Sequence, residues 1–377
     1  MRIGIDAHAA EREGTGNCTY IRGLLGGLAK IDHRNEYFLY ATEKYHHFYS
    51  RFKDVANFHI KYLRPKNPLL RIPLALGRRT FSDNLDVLHA QYIAPPLHKG
   101  KLVLTIHDVA FLHFPQSFGW FERCRSKLLV PQNAQRAARI LCGSRYSKLD
   151  IAKRCGVSET KIEITHYGTS LSSRPVETHN ERKQEVLKKY GIDKKFIFTL
   201  SRLNLRKNLK TLIEVYVDLR DREKIDMLLV IGGRKDVFSE EITRYISKAG
   251  CRGDIILTGF IEEKDLPFLY NSAEVFVYPS LFEGFGLPPL EAMACGCPVV
   301  TSKHSSLPEV VGEAGVLVNP SDSEELLKAI VSVLSDAALR DGLRTKGLER
   351  AQQFSWEATA RKTLAVYEDV RRHGEKE

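Results

Sequence analysis

The sequence has no long apolar run: every uncharged stretch falls short of the roughly 18 residues needed to cross a bilayer. No secretory leader is expected either. The N-terminus reads MRIGIDAHAA, which resembles a first strand and carries no apolar h-region, so a cytoplasmic protein is expected. Cysteine is sparse. The seven cysteines are odd in number and scattered, and Cys295-x-Cys297 is not a CxxC pair, so neither a disulfide framework nor a zinc site is indicated. Glycine (26) and proline (15) stand at ordinary levels, which excludes a collagenous or low-complexity chain. What is present is 377 residues, 43% hydrophobic and 27% charged. That is enough for about two globular domains.

Acid is missing from one place in particular. Between Lys61 and Ser82 the chain carries Lys61, Arg64, Lys66, Arg71, Arg78 and Arg79 with no Asp or Glu, interleaved with Leu69, Leu70, Ile72, Leu74 and Leu76. Residues 1–170 hold 26 Lys+Arg against 14 Asp+Glu, and residues 171–377 hold 31 against 32, so the whole net charge of +11 comes from the N-terminal half. A solvated face would account for charge alone. A nucleic-acid surface lacks any base-reading motif, and no nucleic-acid partner is expected. The mixture of basic and apolar residues fits docking on anionic lipid headgroups best.

Short apolar runs alternate with amphipathic ones. Arg2–Ile5, Tyr37–Tyr40, Phe58–Tyr62, Val87–Ala90, Lys101–Ile106 and Ile162–Thr165 read as strands. Asn17–Ile31 reads as a helix with Tyr20, Ile21, Leu24, Leu25 and Leu28 on one face. Residues 171–184 break the pattern and read as a linker. A second series follows, with strands at Phe196–Leu200, Met227–Ile231, Ile255–Leu257, Val275–Val277, Pro298–Thr301 and Gly315–Val318. The pattern predicts an α/β protein of two doubly wound domains, with ligands outside the carboxyl ends of the strands and a cleft between the domains.

Four stretches suit chemistry. Gly14-Thr15-Gly16 follows the first strand and opens a helix, where free N–H groups favour an anion; a plain glycine turn is the bland alternative. Ser201 through Asn208 links a strand to a helix and carries Arg202, Arg206 and Lys207. Arg202 with Lys207 would suit a diphosphate, and Arg206 could equally be one of the pair. Glu283 and Glu291 flank a glycine-rich turn, and two carboxylates there suit the vicinal hydroxyls of a sugar and a ribose. Prolines start the next helix, which places Glu291 in its first turn. His107 ends a strand, in reach of a sugar hydroxyl or a leaving anion. No His, Cys or acidic set has metal-ligand spacing, and no metal is expected.

Read in order, these strings resemble the family 4 retaining glycosyltransferases of the GT-B fold. The resemblance rests on Gly14-Thr15-Gly16, Thr105-Ile106-His107-Asp108, Gly143-Ser144-Arg145-Tyr146-Ser147, Ser201 through Asn208, Gly259-Phe260, Glu283 through Glu291, Ser306-Leu307-Pro308-Glu309-Val310 and Phe354-Ser355-Trp356. It implies two Rossmann-like domains: an N-terminal acceptor-side domain, 1–170, and a nucleotide-sugar domain, 185–356, with a final helix, 357–377, crossing back. It also implies that Arg202 and Lys207 clamp the donor diphosphate and that Glu291 holds the ribose. Glu283 and the backbone of Gly284, Phe285, Gly286 and Leu287 would hold the sugar and phosphate. His107 would contact the sugar, Gly14 and Gly16 the diphosphate, Phe260 the base, and Ser144 the donor. No cofactor is implied beyond the nucleotide-sugar co-substrate. The pattern is nearest to the mannosyltransferase branch, which implies GDP-mannose as donor and a glycan or lipid-linked acceptor of a bacterial envelope. The cations from Lys61 to Arg79 would then sit on the inner face of the cell membrane. Two N-terminal strings depart from the family's usual form, Asn17-Cys18-Thr19-Tyr20 and Tyr167-Gly168.

Overall fold

The computed structural model describes residues 1–44, 46–169, 181–234, 239–250 and 253–374. The chain forms two compact units, one of Met1–Gly168 with Ser355–Glu377 and the other of Thr169–Phe354. The expected linker lies outside the described residues as far as position 180. Its last four residues, 181–184, instead begin the helix Glu181–Lys189.

The first unit is built on seven parallel strands: β1 (Arg2–Asp6), β2 (Glu36–Ala41), β3 (Phe58–Tyr62), β4 (Val87–Gln91), β5 (Lys101–Thr105), β6 (Arg139–Cys142) and β7 (Ile162–Ile164). Their order is β3-β2-β1-β4-β5-β6-β7. The inner strands are buried nearly end to end, as a parallel sheet covered on both faces requires. Alternate side chains separate the two faces. Leu88, Ala90, Leu102, Leu104, Ile140 and Cys142 share one core with Leu76, Val130 and Ala134. Those last three come from a helical segment, 68–82, and from the helix Trp120–Arg136.

On the other face, Tyr20 of α1 (Gly16–Ile31) meets the Thr105 hydroxyl at 2.9 Å. His89 bridges Thr105 (2.7 Å) and Tyr367 (2.5 Å) of the closing helix Trp356–Gly374. That helix lies against α1 because Gly23 and Gly27 leave room: a Cβ on Gly27 would stand 2.5 Å from the Trp356 carbonyl oxygen.

The second unit has six parallel strands: β8 (Phe196–Leu200), β9 (Leu228–Gly232), β10 (Ile255–Gly259), β11 (Val275–Tyr278), β12 (Val299–Ser302) and β13 (Val316–Val318). Their order is β10-β9-β8-β11-β12-β13. In both units the order reverses beside the first strand, the switch point where ligands of such sheets bind.

Candidate active site

The geometry concentrates at the carboxyl ends of β8 and β11. After β8 the chain makes one tight turn, with Asn204 accepting the Arg206 N–H through its side chain, and then enters the helix Leu209–Asp221. This turn lifts Arg206 and Lys207 toward the end of β11. Lys207 is buried and donates to the Glu283 carboxylate and to the Tyr278 hydroxyl, 2.5 Å away. Arg206 donates to Glu283 Oε2 at 3.3 Å and to the Phe282 carbonyl at 3.0 Å. The Ser280 hydroxyl (2.6 Å) and the Tyr278 hydroxyl (3.0 Å) complete the carboxylate's shell. Burial alone would raise the Glu283 carboxyl, but Lys207 and Arg206 outweigh it and hold it at about 2.

The loop's cations therefore divide. Arg206 and Lys207 converge on Glu283, whereas Arg202 is exposed at the head of the loop. The sequence left Arg206 and Arg202 interchangeable and placed Lys207 on an anion; in the structure its partner is the acid 76 residues downstream.

The glycine-rich turn is pinned from behind. The Ser306 hydroxyl lies 2.9 Å from the Glu283 carbonyl and 2.7 Å from that of Phe285, and Ser305 Oγ accepts the Glu283 N–H at 3.0 Å. Gly284 opens the turn. Gly286 closes it at φ +118°, a conformation that favours glycine, and caps the helix Leu287–Ala294. Because that helix begins at Leu287, Glu291 stands in its second turn rather than its first, which corrects the sequence reading. Glu291 is half-buried and accepts from the Tyr270 hydroxyl at 3.2 Å. Desolvation and the neighbouring charge of Glu263 push its carboxyl up to about 7. Phe260, after β10, is exposed, and Arg234 lies 4.4 Å over its ring.

The first unit carries its own set. His107, at the end of β5, is buried between the Tyr167 hydroxyl (2.6 Å from Nδ1) and Gln91 Oε1 (2.9 Å from Nε2). Gln91 Oε1 can only accept, so Nε2 carries the proton and Nδ1 accepts from Tyr167. Desolvation and the nearby His89 lower the imidazole to about 3, so it is neutral near pH 7. Gly14 (φ +70°) precedes Thr15, whose hydroxyl caps α1 by accepting the Cys18 N–H at 3.2 Å, and Gly16 begins the helix with open space at its Cα. Ser144 is fully buried and caps the helix Arg145–Cys155 by accepting the Ser147 N–H at 3.0 Å.

Two further groups escaped the sequence reading. Gln91 Nε2, beside His107, and Ser201 Oγ, beside Arg202, are buried with no hydrogen-bond partner among the described residues. Buried polar atoms are rarely left so. Each stands at the carboxyl end of a strand, where a hydroxyl-rich ligand would satisfy it. Their only signal in the sequence is position: Gln91 ends β4, and Ser201 follows β8.

Against known proteins, residues 181–350 match the model of glycosyl transferases group 1, and residues 16–173 match that of glycosyltransferase family 4. The O-antigen chain mannosyltransferase B of Escherichia coli is 30% identical over 288 residues, 74% of each chain. The chain belongs to the family 4 glycosyltransferases. A serotype-specific mannosyltransferase of the same organism, WbdA, is 37% identical over 183 residues, which are 48% of this glycosyltransferase but only 22% of that longer protein. Among solved structures, the sucrose-phosphate synthase of Thermosynechococcus elongatus matches with a TM-score of 0.78 at 20% identity, covering 98% of this chain and 99% of its own. Anabaena Alr3699/HepE in complex with UDP and glucose matches at 0.74 and 17%, covering 98% and 100%. The fold is GT-B.

The glycosyltransferase treats its six basic-window residues differently from the sequence expectation. Arg71 is 2% exposed, with its guanidinium 3.1 Å from Asp6, so it cannot meet a membrane: a buried carboxylate at the end of β1 claims it. Arg79 pairs with Asp83 at 3.0 Å and Lys66 with Glu43 at 2.5 Å, while Lys61 lies over the Phe38 ring. Arg64 and Arg78 are exposed. The window has no acid of its own, but the fold brings acids to it.

Among the described residues, one trio has metal-ligating atoms close together, Glu13, His46 and His47. His46 Nδ1 accepts the Phe48 N–H, and Glu13 pairs with Arg22. No described helix is long and apolar enough to cross a membrane.

Proposed function

We propose that this glycosyltransferase moves mannose from GDP-mannose to a hydroxyl of a lipid-linked or polysaccharide acceptor of a bacterial envelope glycan, with retention of anomeric configuration and without a metal. The observation that carries the reading is the Arg206–Lys207–Glu283 cluster at the ends of β8 and β11, in a family whose relatives here include two mannosyltransferases. Arg202, exposed above it, meets the donor diphosphate, and Lys207 adds positive field. Glu291 takes the ribose hydroxyls, Phe260 the base, and the N–H groups of Gly284 through Leu287 the sugar and phosphate. Gly14 and Gly16 approach the diphosphate, and His107, neutral and held by Gln91 and Tyr167, lies by a sugar hydroxyl.

In the proposed step the bond from the anomeric carbon to the diphosphate oxygen breaks, and the acceptor oxygen bonds to the same face of that carbon. The acceptor proton passes to the leaving phosphate. Fixed cations stabilise the charge that grows on the diphosphate, commonly the largest catalytic contribution. The enzyme works at the inner face of the cell membrane, on an anionic surface. Nucleic acid has no part in the reading.

A thermal-shift panel with GDP, UDP and ADP in the absence of metal tests the donor. A ligand at about 100 times its dissociation constant adds about 2.7 kcal/mol. A shift with GDP alone, followed by turnover of GDP-mannose, is the expected result. A shift with UDP alone and turnover of a UDP-sugar would replace the donor. No response to any nucleotide would point to a binding protein on the same fold.

A further inference from the structure

The carboxyl end of β1 carries a charged cluster that the site around Glu283 does not use. Asp6 is 3% exposed, and its Oδ1 has two partners, the Arg71 guanidinium at 3.1 Å and His8 Nδ1 at 2.7 Å. Burial works against the carboxylate, yet His8 and Arg71 keep it ionised, well below the usual carboxylate range. An ionised carboxylate can only accept, so Nδ1 of His8 carries a proton, and in the neutral ring Nε2 bears the lone pair. Among the described residues Nε2 has no hydrogen-bond partner. The His8 side chain is 24% exposed, and its Nε2, unlike Gln91 Nε2, is not sealed from solvent.

The backbone that carries His8 is fixed on both sides. The Ala7 N–H donates to the Tyr40 carbonyl at 2.9 Å, and the Tyr49 hydroxyl donates to the Ala7 carbonyl at 2.9 Å. Ala9 and Ala10 are buried, and Arg22 Nε donates to the Ala10 carbonyl at 2.9 Å. Glu11 Oε1 accepts the N–H groups of Thr42 and Glu43 at 2.7 and 3.0 Å. On this rigid segment Asp6 sets the ring's tautomer and direction, as a carboxylate does behind a histidine whose other nitrogen must offer a lone pair.

Stability alone does not call for the arrangement. A buried ion pair is commonly no better than an apolar pair of the same volume. Its place points to a ligand. The order of the sheet reverses beside β1, and the turn Gly14-Thr15-Gly16 opens α1 just beyond, with open space at Gly16.

We propose that His8 Nε2 receives a hydroxyl of the acceptor sugar, one beside the hydroxyl that reacts, with Asp6 and Arg71 as positioning residues behind it. The inference rests on the transferase reading above and deepens it by naming a hexopyranoside contact in the first unit. A lone pair takes a hydroxyl proton in a hydrogen bond and offers nothing to the unprotonated oxygens of a diphosphate, so the acceptor is the occupant. No proton is transferred to His8; the reacting hydroxyl still gives its own to the leaving phosphate.

Diethyl pyrocarbonate acylates the accessible nitrogen of a neutral imidazole, and peptide mapping of the full-length protein reads His8 directly, with exposed His33 as the internal reference. Methyl α-D-mannopyranoside and methyl α-N-acetylglucosaminide are the acceptor probes, and GDP and GDP-mannose the donor probes. At about ten times its dissociation constant, one of the glycosides should slow acylation of His8 about ten-fold and leave His33 unchanged. Neither GDP nor GDP-mannose should protect His8. In transfer to the protecting glycoside from the donor that the nucleotide panel supports, His8→Ala should raise the acceptor KM about ten-fold, with a smaller change in the donor KM. His8→Gln, whose amide oxygen can stand near the Nε2 position, should restore part of the loss. A merely structural histidine would move both KM values together. His8 is partly exposed, and thermal midpoints near the wild type show that both variants fold.

Protection by GDP-mannose in place of the glycosides would assign His8 to the donor and overturn the proposal. So would a His8 that no sugar protects, or a His8→Ala variant with the wild-type acceptor KM. The footprint needs no turnover, so a failed donor panel leaves it readable, and an unprotected His8 leaves the donor reading intact.

Discussion

Lys207 Nζ sits between the Tyr278 hydroxyl, 2.5 Å away, and the Glu283 carboxylate, with all three side chains buried. A Lys207 that only clamped a diphosphate would, when removed, cut turnover far more than it alters folding. The ion pair revises that expectation. Lys207→Met leaves the buried Glu283 carboxylate with Arg206 and the Ser280 and Tyr278 hydroxyls but without its nearest cation, and should cost about 3–5 kcal/mol of stability as well as turnover. Lys207→Met with Glu283→Gln removes the stranded charge and should recover most of that stability with turnover still lost. Urea unfolding of the two singles and the double checks this; strictly additive losses would show that the pair is not coupled.

Glu291, pushed up to about 7, changes charge across the neutral range. Its carboxyl is higher in the fold than its ordinary value of 4.5, so its contribution to stability is complete below about 4.5 and fades as pH rises through about 7. Nucleotide binding should run the other way, because ribose hydroxyls donate better to the ionised form. The GDP affinity of the wild type relative to Glu291→Gln should rise about five-fold from pH 6 to pH 8. Taking the ratio cancels the nucleotide's own titration, and a flat ratio by calorimetry would remove Glu291 from the ribose.

Arg71 and Asp6 form a second buried pair, 3.1 Å apart, with His8 Nδ1 2.7 Å from the same carboxylate oxygen. Burial would raise Asp6, but His8 and Arg71 hold it well below the usual carboxylate range. Its stabilisation is present above the ordinary value and fades as pH falls. Arg71→Met should destabilise by about 3–5 kcal/mol at pH 7 and by less at pH 4, where protonation relieves the stranded acid. Denaturant midpoints at the two pH values test it.

Gly27 is the contact point between α1 and the closing helix, since its Cβ position falls 2.9 Å from Ala360 Cβ and closer still to the Trp356 carbonyl. Gly27→Val should lower stability by about 1–3 kcal/mol through overpacking, despite the better helix propensity of valine over glycine. A thermal midpoint equal to the wild type would mean that the two helices separate without cost.

How much of this was legible beforehand depends on the range of the interaction. Most strands of both sheets were legible because a strand buried on both faces is a short apolar run wherever it sits. The string Glu283 through Glu291 was legible because glycine and proline punctuate the local backbone. The segment 68–82 and the helix Trp120–Arg136 were not. Each exposes apolar side chains, and the segment buries an arginine, so the usual helical period is inverted and no local pattern marks it.

The sequence by itself therefore determined the alternation of strands and helices, the turns at the strand ends and the residue types gathered there. Tertiary structure alone decided that Lys207 faces Glu283 and Arg206 joins it, that Arg71 is spent on Asp6, and that Gln91 Nε2 and Ser201 Oγ are buried with no hydrogen-bond partner among the described residues. Those outcomes depend on side chains up to 76 residues apart in the chain. Only the register of the sheets, set by packing over the whole core, brings them within hydrogen-bond reach.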